Sequence, residues 1–333
     1  MMKNINIFLL LLLFTITIIA GCSDEGSAGA KSAQQAVRVG IDTAAGGSLQ
    51  IRAAENEGYF EANGIETEIS NFAYGIDTIN ALLTKQTDTG IAADYALLNS
   101  INRGDIVILG TITRGNEKTT RETEVLAVKD VKAVKDIKGK KIGVAKGTVY
   151  EYHWAKYLEA VGIDEDEIEY VPYSTPDEAL IGMKKGSIDV ILTNGALIEK
   201  FKSIDGVHQI DDLTTAGVTT SAYLVGSKSF GKNQQQVVNL LKGIEKGVGF
   251  VKENPDAVAD IAYKELKVKQ EDTLRDLKRI NYVLGFTAED LAHLEDMQKW
   301  LIENGKLKES YDLKGKLYLD PLREAFPKSV TYE

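Results

Sequence analysis

The residue types that usually carry chemistry are sparse in this chain and badly spaced for catalysis. The three histidines, His153, His208 and His293, are scattered, and no H-E-x-x-H or paired spacing offers zinc ligands. The stretch "GSKSFGKN" at 226–233 nearly matches a phosphate-binding G-x-x-x-x-G-K-[ST] loop. Asn233 replaces the hydroxyl that would hold Mg²⁺, so the stretch reads as a turn. "SFGK" has the S-x-x-K form, yet neither S-D-N nor K-T-G occurs, and no G-x-S-x-G is present. "DEDEIE" at 164–169 reads as a solvated acidic loop. Two kinds of candidate remain: a single cysteine, Cys22, and a set of short Gly-, Ser- and Thr-rich loops.

Cys22 ends "MMKNINIFLLLLLFTITIIAGC". The apolar run from Ile7 to Ala20 is short for a permanent span, which takes about 20 residues. With Lys3 ahead of it, it has the proportions of a secretory signal. Ile19-Ala20-Gly21-Cys22 resembles a bacterial lipobox, in which small residues admit a peptidase and the thiol receives a diacylglycerol. Two acyl chains, at about 0.8 kcal/mol per buried CH₂, hold a protein firmly where one holds it marginally. "SDEGSAGAKSAQQA" lacks an apolar period and reads as a flexible tether. The expected division is therefore a leader at 1–21, a tether at 22–36 with Cys22 lipidated, and a folded body from 37 on. The expected place of work is the extracytoplasmic face of the cell membrane.

With its thiol acylated, Cys22 leaves nothing for disulfides, thiolate catalysis or cysteine metal sites. The 333-residue chain is long enough for a sizeable core in one or two lobes. Its net charge of −10 argues against a nucleic-acid partner.

The elements that must position the loops alternate strand and helix. "VRVGID", "IETEISNF", "DTGIAA" and "DIVILGTITR" read as strands with helices between them. This βαβαβαβ order implies a parallel sheet with right-handed crossovers. After "TEVLAVKD" a second such unit runs through "KKIGVA", "EIEYVPYS" and "SIDVILTN", and "TSAYLVGS" returns as a strand. From Asn233 onward the pattern is helical, including "QEDTLRDLKRINYVLG" read as one helix. The two units echo each other in order, which suggests two similar lobes.

"GYFEANGIETEISNF", "DIKGKKIGVAKGT", "YLEAVGI", "ALIGMKKGSIDVILTN" and "VKENPDAVADIA" resemble the solute-binding lipoproteins of bacterial ABC importers, with the sulfonate/nitrate/taurine-type group the most similar. The resemblance implies a two-lobed type II periplasmic-binding-protein fold. Each lobe would be a mainly parallel sheet flanked by helices, with the ligand cleft between them. It places lobe one at 37–129 plus 221–333 and lobe two at 130–220. The implied partners are a small anionic or zwitterionic solute, the permease and ATPase subunits, and the membrane through the anchor. The protein would be a monomer that needs no metal or cofactor and catalyses no reaction.

In open α/β sheets ligands sit beyond the carboxyl ends of the strands, where helix starts offer free N–H groups. The loops that fit are 43–48, 73–77, 93–94 and 111–114 in lobe one, and 146–152, 174–175 and 193–194 in lobe two, with 219–223 at the return. Candidate ligand contacts are Ala45, Ser48, Tyr74, Gly75, Asp94, Arg114, Gly147, Thr148, Tyr150, Glu151, Tyr152, Asn194 and Thr220. Arg114 could grip an anion bidentately, and the tyrosines could flank an apolar body while Glu151 holds an amine. The resemblance aligns Gly147-Thr148 with the pair that opens a ligand-facing helix. Sulfonate-type members carry an aromatic–acidic–proline cluster where this chain has "TNGAL" at 193–197. Sulfonate, nitrate, a carboxylate and a pyrimidine-like heterocycle therefore stay open. Enzymes of pyrimidine-precursor and menaquinone synthesis share the architecture, and a surface sensor would use the same capture chemistry.

Overall fold

The structure, a computed structural model, describes residues 36–43 and 48–332. The leader, the tether through residue 35 with Cys22, and Ala45 lie outside the described residues. Strands β1 (Val37–Asp42), β2 (Thr67–Phe72), β3 (Thr89–Ala93) and β4 (Ile106–Arg114) come first. The chain then enters a second sheet through β5 (Thr123–Ala127), β6 (Lys141–Ala145), β7 (Glu169–Tyr173), β8 (Val190–Asn194) and β9 (His208–Asp212). It returns to the first sheet as β10 (Ala222–Ser227) and β11 (Asn281–Gly285). The two sheets are ordered β11-β4-β10-β3-β1-β2 and β7-β6-β8-β5-β9.

Strands β1 to β4 share one direction, as the repeated strand–helix order requires. β2 and β3 pair parallel with β1. The return strand β10 inserts between β3 and β4 and runs antiparallel to both. In the second sheet β6 pairs parallel with β7 and β8, while β5 runs antiparallel to β8 and β9. Each lobe is thus a mixed sheet with a parallel half. The first crossing also comes earlier than 129. β5 already belongs to the second sheet, so the chain leaves the first lobe within 115–122. The two crossing segments hold each other: Thr120 Oγ1 donates to Val218 O at 3.0 Å, and Gly115 N to Ser221 Oγ at 3.3 Å.

Side-chain alternation separates the two faces of the second sheet. Val125, Ala127, Val190 and Leu192 pack under the Val149–Val161 helix with Trp154 and Tyr157. Leu126 and Ile191 point the other way, to Met183 and Phe201. In the first lobe the Gln234–Glu253 helix buries Val237, Leu240, Leu241, Ile244, Val248 and Val251 along one stripe. Each such side chain contributes about 1.5–3 kcal/mol on leaving water. The same helix seats the Leu49–Asn56 helix, whose Gln50 carbonyl would lie 2.0 Å from a Cβ at Gly247. Only glycine permits that approach.

The expected helix over "QEDTLRDLKRINYVLG" is half right. It runs Gln270–Arg279, then becomes β11, which pairs antiparallel with β4. Ile280 turns to extended geometry, and the β-favouring Tyr282 and Val283 follow. Among the described residues no helix is long and apolar enough to cross a membrane.

Candidate functional site

A cavity of about 200 Å³ lies between the sheets, walled by both lobes. Three helix starts converge on it. Ser48 and Gln50 open the Leu49–Asn56 helix, Tyr74 and Gly75 open the Gly75–Leu83 helix, and Thr148 with Tyr150 opens the Val149–Val161 helix. Gly75 is forced by packing, since a Cβ there would sit 2.9 Å from Ala92 Cα. Thr148 caps its helix: Oγ1 accepts from Tyr150 N at 3.2 Å and donates to Ala145 O at 2.7 Å. Tyr74 belongs to lobe one but packs into the core of lobe two, so the two walls touch.

Of the residues picked from sequence, Ser48, Tyr74, Gly75, Arg114, Thr148, Tyr150, Asn194 and Thr220 line this cavity. Arg114, however, is committed within the protein. Its Nε and Nη2 grip Asp290 at 2.8 and 2.6 Å, the bidentate geometry expected for a ligand. Asp94, Gly147, Glu151 and Tyr152 are not among the lining residues. Asp94 is fully buried and accepts from Tyr95 N (2.8 Å), Ser221 N (3.0 Å) and His293 Nε2 (2.7 Å), which ties β3 to the return crossing. Glu151 accepts from Gly147 N at 3.1 Å and from Tyr95 Oη at 2.7 Å, a bond that crosses between the lobes. Tyr152 stacks edge-on against Trp300 with centroids 4.8 Å apart. Glu151 and Tyr152 link the two lobes, Gly147 supports Glu151, and Asp94 stays within the first lobe and its return crossing.

Sequence reasoning missed Asp42, Gln50, His153, Arg279 and Tyr282, all of which line the cavity. Gln50 is fully buried, and among the described residues neither its Oε1 nor its Nε2 has a hydrogen-bond partner. Tyr282 Oη, Asn194 Oδ1 and His153 Nδ1 are likewise buried and unpartnered. A cluster of unmet polar atoms on one void is costly unless something enters to meet them. Asp42, at the carboxyl end of β1, is half-buried. Burial pushes its carboxyl up to about 7, against the pull of Arg52. Arg279 Nε lies 2.8 Å from Asp276 Oδ1 and 4.0 Å from Glu122 Oε2. Gly195 abuts that ion pair, and a Cβ there would fall 2.8 Å from Asp276 Oδ2.

One contact has the form of a nucleophile and base: Thr220 Oγ1 and His153 Nε2, 2.7 Å apart. Burial lowers the imidazole to about 4, so it is neutral at physiological pH. Its Nδ1 has no partner, and no third group orients the ring as hydroxyl activation requires. Among the described residues no group of His, Cys, Asp and Glu is arranged to hold a metal.

The chain is 25% identical over 293 residues to a Bacillus subtilis protein named for binding aliphatic sulfonates, covering 83% of this chain and 84% of that one. The alkanesulfonate-binding protein of Xanthomonas axonopodis, solved with MOPS bound, superimposes with a TM-score of 0.74 at 15% identity, over 86% of this chain and 99% of that one. A desulfurization enzyme shares the fold as well, with a TM-score of 0.65 at 17% identity over 89% and 99%. The two-sheet architecture is that of the periplasmic binding proteins. The NMT1/THI5-like family pattern matches residues 48–258, well over half of the sequence, and the chain belongs to that family.

Proposed function

We propose that this chain is the solute-capturing component of an ABC importer, tethered outside the cell through Cys22 and closing its two lobes on one small molecule. The observation that carries the reading is the convergence of three helix starts, from both lobes, on a cavity lined with unmet polar atoms. Helix starts offer N–H groups and partial positive charge to an acidic or acceptor-rich end of a solute. Lobe closure exchanges water for these fixed dipoles. Micromolar binding, about −8 kcal/mol, needs no more than a few such contacts. The sulfonate specificity named for the Bacillus and Xanthomonas relatives supports a small anionic or zwitterionic ligand. The enzyme reading has the shared fold of the desulfurization enzyme behind it, but fold does not fix function, and the Thr220–His153 contact lacks an orienting group.

The test is a thermal-shift screen of the purified protein against sulfonates, nitrate, carboxylates, amines and pyrimidines, followed by uptake of the best binder in cells with and without the gene. Saturation at about 100 Kd adds roughly 2.7 kcal/mol to stability. One class should stabilise the protein, be recovered unchanged and lose its uptake on deletion. Turnover of the binder, or uptake indifferent to deletion, overturns the reading. Release of the protein from membranes by Cys22→Ala tests the anchor.

A further inference from the structure

We infer that Asp42 is the specificity-determining residue of the cleft and that it receives a protonated amine of the ligand, so that the captured solute is a zwitterionic, amine-bearing molecule and not a simple anion. The inference rests on the capture reading and narrows it.

Charge bookkeeping on the cavity wall carries the argument. Two cations line it, and each is matched inside the protein: Arg114 by Asp290 at 2.6 Å, Arg279 by Asp276 at 2.8 Å. Glu122, 4.0 Å from Arg279, adds further negative charge beside the second pair. Asp42 is the carboxylate on the wall that accepts no hydrogen bond among the described residues and has no ion-pair partner there. It stands at the carboxyl end of β1, an inner strand of the parallel half of its sheet, where ligands of such sheets sit. Arg52, the nearest cation to influence it, is engaged by Glu265 at 2.8 Å and Asn71 at 2.6 Å. Among the described residues the wall thus has a negative group to spare and no positive side chain to spare. Around Asp42 stand Tyr150 and Tyr282, each close enough to feel its charge, and Gln50 completes the polar group. A ligand ammonium has three donors: one satisfies Asp42, and two remain for other acceptors of a wall on which Gln50 Oε1 and Tyr282 Oη have no partner among the described residues. An anion without an amine would leave these acceptors unmet and face Asp42 uncompensated. The amine-holding part that sequence offered to Glu151 therefore passes to Asp42, because Glu151 is used up by Gly147 N and Tyr95 Oη.

Isothermal titration of the full protein with matched pairs that differ only in the amine tests this: 2-aminoethanesulfonate against ethanesulfonate, and 3-aminopropanoate against propanoate. The amine-bearing member of at least one pair should bind about tenfold or more tighter. Asp42→Asn should erase that preference while the thermal midpoint of the ligand-free protein does not fall. Asp42→Glu, which keeps the charge and shifts it by one methylene, should restore part of it. A wild-type protein that prefers the amine-free member, an Asp42→Asn variant that keeps the amine preference, or a protein that binds neither member of either pair overturns the assignment. The last result leaves the capture reading to the broader screen and the uptake test, so the two can fail separately.

Discussion

Asp42 and Asp94 stand at the carboxyl ends of neighbouring strands, β1 and β3, of one sheet, and they do opposite work. Asp94 is fully buried and accepts three hydrogen bonds, from Tyr95 N, Ser221 N and His293 Nε2. Asp42 is half-buried, accepts none among the described residues, and lines the cavity. Position in the fold is the same; what differs is whether the surrounding chain supplies donors. Where it does, the carboxylate ties a crossing to a sheet. Where it does not, the group stays available to a ligand, at a cost to the empty protein.

That contrast can be broken by substitution. Asp94→Ala removes the acceptor of three donors, two of them buried backbone N–H groups, and should destabilise the protein by about 3–5 kcal/mol, read by chemical denaturation. A loss below about 1 kcal/mol would mean that the crossing does not depend on Asp94. Gly247→Val comes next. Its side chain would collide with the Gln50 carbonyl, so about 1–3 kcal/mol should be lost together with ligand affinity. Stability lost with affinity intact would show that the pose of Gln50 does not matter to binding.

His293→Gln has a smaller, pH-dependent effect. Burial alone would lower the His293 imidazole, but the hydrogen bond to Asp94, with Asp290 and Asp296 nearby, outweighs it and raises the pKa. A raised histidine stabilises the fold fully below its unfolded value of about 6.5, and the gain is lost as pH rises through the folded value. The variant should cost of order 1 kcal/mol at pH 6 and close to nothing at pH 9. An equal cost at both would remove the charge from the account. Asp42→Asn has the opposite sign. Its carboxyl ionises at about 7 in the fold, above the ordinary carboxylate range, so ionisation destabilises the empty protein as pH rises from about 4 to 7. At pH 8 the ligand-free variant should melt higher than the wild type. A clear drop would show that Asp42 has a structural partner after all.

Much of this was legible in the sequence because strand and helix periods are local. The directions of β1 to β4, the helix starts, and loops such as 146–152 follow from pattern alone. The insertion of β10 between β3 and β4 did not, because a single returning strand reads the same wherever it docks. β11 was hidden because the helical period of Gln270–Arg279 runs up to Ile280 without a glycine or proline to mark the change. Missing it concealed Arg279 and Tyr282. Arg114 and Asp94 were placed correctly at strand ends, but their partners, Asp290 and His293, lie far along the chain on the Ala288–Glu303 helix. Gln50 left no signal: Leu49 to Ala54 mixes polar and apolar residues in sequence, and the unbroken burial of that run appears only in the fold.

The most direct test of the account is native mass spectrometry of the purified protein, with whatever small molecule it carries then released by denaturation and identified. The account predicts one bound molecule per chain, bearing an amine, recovered chemically unchanged after prolonged incubation, and absent from the Asp42→Asn protein prepared in parallel. A bound molecule without an amine, or one converted to product over the incubation, would contradict it.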